Sequence, residues 1–207
     1  MLKLSPELAE FLGILIGDGY FDVARNRVII SGNLRKDAKY LTNYVKPLIE
    51  DLFSVRTISW KQENKGAKYL CFYSKPIIAE LKRFDLKKTD IPKSILRGSK
   101  NAKASFLRGL ADTDFSVYLR ESRKNYPNIS STFSSGILVL QIKKLLKEFG
   151  IRANIYFQRR LINDKFYNQY NVHIYGKKNL DLWLKEIGFR NERNLSKIRL
   201  LNSKVKF

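Results

Sequence analysis

Two nine-residue stretches, Phe11-Leu12-Gly13-Ile14-Leu15-Ile16-Gly17-Asp18-Gly19 and Leu107-Arg108-Gly109-Leu110-Ala111-Asp112-Thr113-Asp114-Phe115, constrain this chain more than anything else in it. Each closes a helical pattern. In each, small residues recur four positions apart, Gly13 with Gly17 and Gly109 with Thr113. That spacing clears one helix face of the side chains that hold two helix axes apart. The acids near the ends of the stretches, Asp18 and Asp114, are 96 positions apart (114 − 18) in a chain of 207 residues. The separation is close to half the length, which is the mark of a duplicated unit.

The patterns around the two stretches repeat as well. Ser5 and Pro6 are the cap and first residue of a helix, with Leu8, Phe11, Leu12, Leu15 and Ile16 at helical spacing. Residues 20–24 and 27–31 read as a hairpin, 34–53 as a helix, and 55–61 with 68–75 as a second hairpin; Pro76 then starts a helix to about Phe84. The second half follows the same order, with helices at 102–113, 137–149 and 179–187, and strands at 117–123, 129–134, 153–159 and 166–175. The expectation is an α+β fold, a duplicated αββαββα unit. Its N-terminal repeat covers 1–95, with a linker from about 87, and its C-terminal repeat covers 96–207.

Helices that touch side by side in parallel bring Asp18 and Asp114 together at their C-terminal ends. Each carboxylate there faces the other and the negative ends of two helix dipoles. A hard divalent cation that prefers oxygen ligands relieves such a cluster. Mg²⁺ leaves positions open for phosphate oxygens and water, so the pair reads as metal-assisted phosphodiester hydrolysis. Charge agrees: 40 Lys+Arg stand against 19 Asp+Glu, a net +21. With 44% hydrophobic residues the chain has a core, so the excess lies on the surface. Nucleic acid is its commonest counterpart, and an anionic membrane the weaker one. One cysteine, Cys71, and one histidine, His173, exclude a disulfide framework and a Cys/His zinc site. No run approaches the roughly 18 apolar residues of a membrane span, and Glu7 falls where a signal peptide would be apolar. An intracellular protein, cytoplasmic or organellar and not secreted, is expected. Asp51 with Glu63-Asn64-Lys65 matches a loose nuclease pattern, but Glu63 falls in a hairpin turn, where acids cannot converge.

With both motifs in view, the sequence resembles the LAGLIDADG homing endonucleases in their single-chain, two-motif form. The resemblance spans nearly the whole chain, including Ile91-Pro92-Lys93 before the second motif and Leu184-Lys185-Glu186-Ile187-Gly188-Phe189 near the end. It implies a pseudo-twofold monomer whose antiparallel strands form a saddle over double-stranded DNA. It also implies Asp18 and Asp114 as metal-binding catalytic acids for Mg²⁺, with Mn²⁺ substituting and Ca²⁺ supporting binding without cleavage. Lys75 and Lys177 stand where the family commonly places a lysine, at the entry to the last helix of each repeat, and serve either the scissile phosphate or its neighbours. The glycine that usually follows the acid is Gly19 in one motif but Phe115 in the other. The second helix therefore lacks a free left-handed residue at its end, and unequal nicking of the two strands is expected. No further domain flanks the repeats in this sequence, and a free-standing, intron-encoded enzyme is expected.

Strand alternation supplies candidate DNA contacts. Asn154, Tyr156, Gln158 and Arg160 share one face, and so do Tyr167, Gln169, Asn171 and His173. Asn, Gln and Arg read base edges in a major groove that admits a β-ribbon. Arg27, Arg56, Lys61, Lys68 and Arg120 join them as base or phosphate contacts. Two other readings share the basic saddle, an intron-RNA maturase and a DNA-binding protein that has lost cleavage. Two retained acids beside a polyanion argue against both.

Overall fold

The computed structural model describes residues 2–120 and 126–204, and of Arg120 and residues 202–204 the backbone alone. Helix α1 (Pro6–Asp18) starts where the Ser5 hydroxyl accepts the Leu8 N–H at 3.1 Å. Strands β1 (Gly19–Asp22) and β2 (Arg27–Asn33) follow. The next helix begins at residue 38 rather than 34, because Asn33 Oδ1 accepts the N–H groups of Arg35 and Lys36 and folds 33–37 into a turn. It runs as α2 (Ala38–Tyr40), a π-helical turn (Leu41–Val45) and α3 (Lys46–Phe53). Pro47 donates no hydrogen bond, and the π turn before it absorbs the break in the ladder. Strands β3 (Ile58–Gln62) and β4 (Ala67–Tyr73) and helix α4 (Lys75–Lys82) complete the first repeat.

A linker containing the short α5 (Lys93–Leu96) leads to the second repeat: α6 (Lys100–Asp114), β5 (Ser116–Arg120), β6 (Tyr126–Phe133), α7 (Gly136–Glu148), β7 (Asn154–Ile162), β8 (Lys165–Tyr175) and α8 (Lys177–Glu186). A last helix, α9 (Glu192–Lys204), has no counterpart after α4 and is not foreseen by the repeat pattern. The two sheets are antiparallel and have the same order, β1-β2-β4-β3 and β5-β6-β8-β7. Each buries one face under helices: Val28, Ile30, Leu70 and Phe72 in one, Val117, Ile129, Val172 and Ile174 in the other. The other face of each sheet is open. No helix among the described residues is long and apolar enough to cross a membrane.

Helices α1 and α6 form the centre, and their contact is backbone on backbone. A Cβ on Gly13 would stand 2.2 Å from the Phe106 carbonyl oxygen, and one on Gly109 would stand 2.1 Å from that of Glu10. On Gly17 it would strike the Thr113 hydroxyl and lie 2.8 Å from Asp114 Oδ2. The small-residue spacing read from the sequence is thus what lets the helices close. One charged pair crosses the same interface. Arg108 Nη2 donates to Glu10 Oε2 at 2.5 Å, and the Tyr44 hydroxyl donates to Glu10 Oε1 at 2.7 Å. Glu10 is 2% exposed, so it depends on both donors.

Gly109→Ala should therefore force the helices apart. The expected loss is about 3 kcal/mol, a fall in Tm near 10 °C for a chain of this size, measured by thermal denaturation. An unchanged Tm would mean that the interface is looser than these contacts require.

Candidate active site and nucleic-acid interface

Asp18 and Asp114 end the two touching helices. The backbone repeats the arrangement around them, since Ser31 Oγ donates to the Asp18 carbonyl at 3.4 Å and Ser131 Oγ to the Asp114 carbonyl at 2.9 Å. Burial raises the Asp18 carboxyl to about 6, with help from the charge of Asp37. Burial, followed by the charge of Asp18, raises Asp114 to about 7. Both acids are thus held in a place that resists their ionisation. Lys88 and Arg193 oppose the shift at each of them.

These two cations were not among the residues that the sequence points to. Lys88 reaches back from the linker, and its Nζ donates to the Gly17 carbonyl at 2.7 Å. Arg193, from α9, donates through Nη2 to the carbonyls of Thr113 (2.8 Å) and Asp112 (3.1 Å), and its Nη1 lies 3.4 Å from Asp37 Oδ1. Each cation therefore sits on the negative end of a motif helix. A third acid of the second motif, Asp112, holds the loop that delivers Arg193. Its carboxylate accepts the backbone N–H groups of Arg190 and Asn191 at 2.9 Å. Burial raises it to about 7 against the pull of those two bonds. Asp112 was visible in the motif, but nothing in the sequence indicates that its partners lie 78 and 79 positions away.

The structural premise drawn from Phe115, that the second helix lacks a left-handed residue it needs, is overturned. Gly19 has φ −89° and ψ 155°, and Phe115 has φ −92° and ψ 151°, so both helices pass directly into an extended strand. No left-handed residue is needed at either end. The Phe115 ring lies in the core, 5.7 Å from the ring of Trp183 and 5.9 Å from that of Phe133.

Strand register decides which predicted contacts share the open faces. In the second sheet Asn154 pairs with His173, Tyr156 with Asn171, Gln158 with Gln169 and Arg160 with Tyr167, so all eight lie on the open face. Asn171 accepts a hydrogen bond from Thr132, Asn128 lies 3.0 Å from His173 Nδ1, and the His173 ring stacks on Tyr175. In the first sheet Arg27 is on the open face beside Tyr73, with its Nε 3.0 Å from Asp22 Oδ2. Tyr20, Ile58 and the stacked rings of Trp60 and Tyr69 share that face. Cys71 also lies there, buried among neighbours rather than in the core under the helices. Lys61 and Lys68 do not. They pair with each other in the row of Gly32, two residues from the Ile30 and Leu70 row, and so share the helix side of the sheet. Arg56 is exposed just before β3, and the Arg120 side chain lies outside the described residues.

The structure also separates Lys75 and Lys177 from the acids. Strand β4 leaves the sheet at Tyr73, opposite Arg27 and Asp22, three residues and about 10 Å along from Gly19. Strand β8 leaves at Tyr175, opposite Asn128 and Tyr118, at the same remove from Phe115. Both lysines are exposed first residues of their helices.

The donor set fits Mg²⁺ or a similar ion. Among the described residues no group of three or more His, Cys, Asp or Glu gathers into a cage. The carbonyls of Gly17, Asp18, Thr113 and Asp114 are already hydrogen-bonded. Two carboxylates remain, with water and substrate oxygens to complete the shell, as Mg²⁺ sites commonly have.

Residues 101–188 match the family model of a LAGLIDADG-like domain. The fold matches the homing endonuclease I-DmoI in complex with DNA and Mn, with a TM-score of 0.64, 15% identity, and 90% of this chain and 98% of that one covered. It matches I-DmoI with DNA and Ca at a TM-score of 0.66 and 14% identity, covering 96% of this chain and all of the other. The second half of the chain thus matches a LAGLIDADG-like domain, and the chain as a whole has the duplicated fold of I-DmoI. Two proteins of Methanocaldococcus jannaschii are also similar to it. The replication factor C small subunit is 30% identical over 198 residues, 94% of this chain and 10% of that one. The glutamine–fructose-6-phosphate aminotransferase is 27% identical over 221 residues, 98% of this chain and 18% of that one. The chain thus spans a fifth or less of these relatives' length.

The raised carboxyls set a pH dependence. A carboxyl whose folded pKa lies above its unfolded value near 4 stabilises the fold fully below that value, and the contribution is lost as pH rises through the folded pKa. Asp114→Asn removes that loss. The metal-free variant should melt above wild type by several degrees at about pH 8, and the two should converge at about pH 4. A gap that stays constant between those values would show that Asp114 is not the titrating group.

Proposed function

We propose that this protein is a site-specific double-strand DNA endonuclease that hydrolyses phosphodiesters at a long asymmetric target. The observation that carries the reading is the pair Asp18 and Asp114, half-buried at the adjoining ends of two helices in backbone contact, between two open sheet faces. Asp18 and Asp114 would hold a divalent cation, Mg²⁺ or Mn²⁺, which would supply activation of water and positive charge for the departing oxygen. Asp18 and Asp114 hold that charge at the centre, while Lys88 and Arg193 keep the helix ends from repelling the carboxylates further.

The open face of the second sheet suits base reading through Asn154, Gln158, Arg160, Gln169 and Asn171. Tyr156, Tyr167 and His173 add contact area. Arg27 serves the first sheet, where aromatic side chains replace most of the amides. Arg56, Lys75 and Lys177 act on backbone phosphates away from the scissile bonds, in line with their exposed places at strand ends, whereas Lys61 and Lys68, on the helix side, face away from the duplex. The two faces differ residue by residue, so a monomer would read two unlike half-sites. The two relatives named above share no activity by name, yet each holds a segment like this chain. That supports a module whose activity is its own and not that of the protein around it.

The decisive experiment incubates the protein with a sequenced duplex library in Mg²⁺ and in Ca²⁺ and maps bound fragments and broken ends. Discrete breaks in Mg²⁺ and uncut, enriched fragments in Ca²⁺ are expected. Asp18→Asn and Asp114→Asn should each abolish double-strand cutting and leave binding in Ca²⁺ within about threefold. Affinity should fall by roughly 10³ between 50 and 200 mM salt as phosphate contacts release counterions. Cutting that survives either substitution would remove the acids from the chemistry.

A further inference from the structure

The two acids differ in the cations around them. Beside Asp114 lies a cleft of about 600 Å³ between the start of α2 and α9. Arg35, Lys36 and Lys39 line it from the first repeat, and Arg193 and Lys197 line it from α9. Its acids are Asp114 and Glu192, and Glu192 is paired with Arg199. Arg193 is engaged with Asp37 and with the end of α6. Among the described residues, Arg35, Lys36, Lys39 and Lys197 make no ion pair with a carboxylate.

Lys197 is the best placed of these. Its Nζ donates to Ser116 Oγ at 2.7 Å. Ser116 is the second residue after Asp114 and pairs with Ser130, which pairs with His173, so it lies on the open face of the sheet. An ammonium group thus stands where the nucleic-acid face meets the second acid. Burial, and then the charges of Arg193 and Lys36, push the lysine pKa down. A cation crowded by cations and partly removed from water gains more than most from a phosphate.

Among the described residues nothing equivalent serves Asp18. The loop that corresponds to 34–37 is Ser134-Ser135, which joins β6 to α7 and carries no charge. Ser135 is used to cap α7 and to bond the Thr89 carbonyl. After α4 the chain enters the linker, and Lys88 is spent on the Gly17 carbonyl.

Resting on the endonuclease reading, we propose that this cleft seats the scissile phosphate of one strand only. Lys197 contacts that phosphate, and the strand beside Asp114 is cut before the strand beside Asp18. Unequal nicking thus returns, with its cause in the cations of α2 and α9 rather than in Phe115.

Single-turnover cleavage of a target labelled differently on each strand tests it. Wild type should break one strand at least about tenfold faster, always the same one. Lys197→Gln should slow that strand by about 10- to 100-fold and the other by less than twofold, with binding in Ca²⁺ weakened by no more than about threefold. Lys197→Arg should recover most of the loss. Equal slowing of both strands, or none, overturns the proposal. A second measurement needs neither a variant nor a known target. Acetylation of the wild-type protein is followed by mass spectrometry, with and without a random-sequence duplex in Ca²⁺. Lys197 should be protected about fivefold or more, while Lys185 on α8 reacts equally in both. Lys197 that stays reactive while other lysines are protected overturns the seat. Protection of Lys197 in a protein that breaks no DNA in Mg²⁺ leaves the seat standing and overturns the endonuclease reading instead.

Discussion

Everything else in the molecule depends on the bare contact between α1 and α6. Side chains normally hold helix axes 8–10 Å apart. Gly13, Gly17 and Gly109 remove them, and the two backbones meet. That approach joins the halves into one core, because Leu8, Phe11, Leu12, Phe106, Leu107 and Leu110 are buried around it. It also forces two carboxylates into a shared site at the ends of two dipoles. The same geometry therefore stabilises the fold and strains the site.

The sequence showed the parts of the fold that follow from local pattern. Small residues four apart, two hairpins per half and a spacing of 96 between acids were enough for the αββαββα repeat and the central helix pair. Face assignments worked where alternation was clean, as in 154–160 and 167–173. The sequence assigned Lys61 and Lys68 to no face, because parity along β3 and β4 is set by pairing with β2, and no local pattern in those strands reveals it. Phe115 misled for a different reason. A glycine after a helix suggests a left-handed cap, yet Gly19 is extended, so its replacement by phenylalanine changes no backbone angle.

The site was legible at its acids and hidden at its cations. Asp18 and Asp114 stand at matching places in two motifs. Lys88, Arg193 and Lys197 stand in a linker and in a helix outside the repeat, so no internal comparison singles them out. Their positions come from tertiary contacts, and Asp112, anchoring 190–191 from 78 residues away, is the clearest case. Symmetry made the fold readable, and departures from symmetry make up most of the electrostatics.

The pair Glu10 and Arg108 carries a last implication. The position in α1 that matches Arg108 is Leu12, and the position in α6 that matches Glu10 is Phe106. Two copies of the first half, brought together through α1, would set each buried carboxylate against leucine. Two copies of the second half would set each guanidinium against phenylalanine. Either assembly strands unpaired charge in a dry interface. The halves fit each other and no longer fit themselves, so this duplication could not be undone by simply cutting the chain in two.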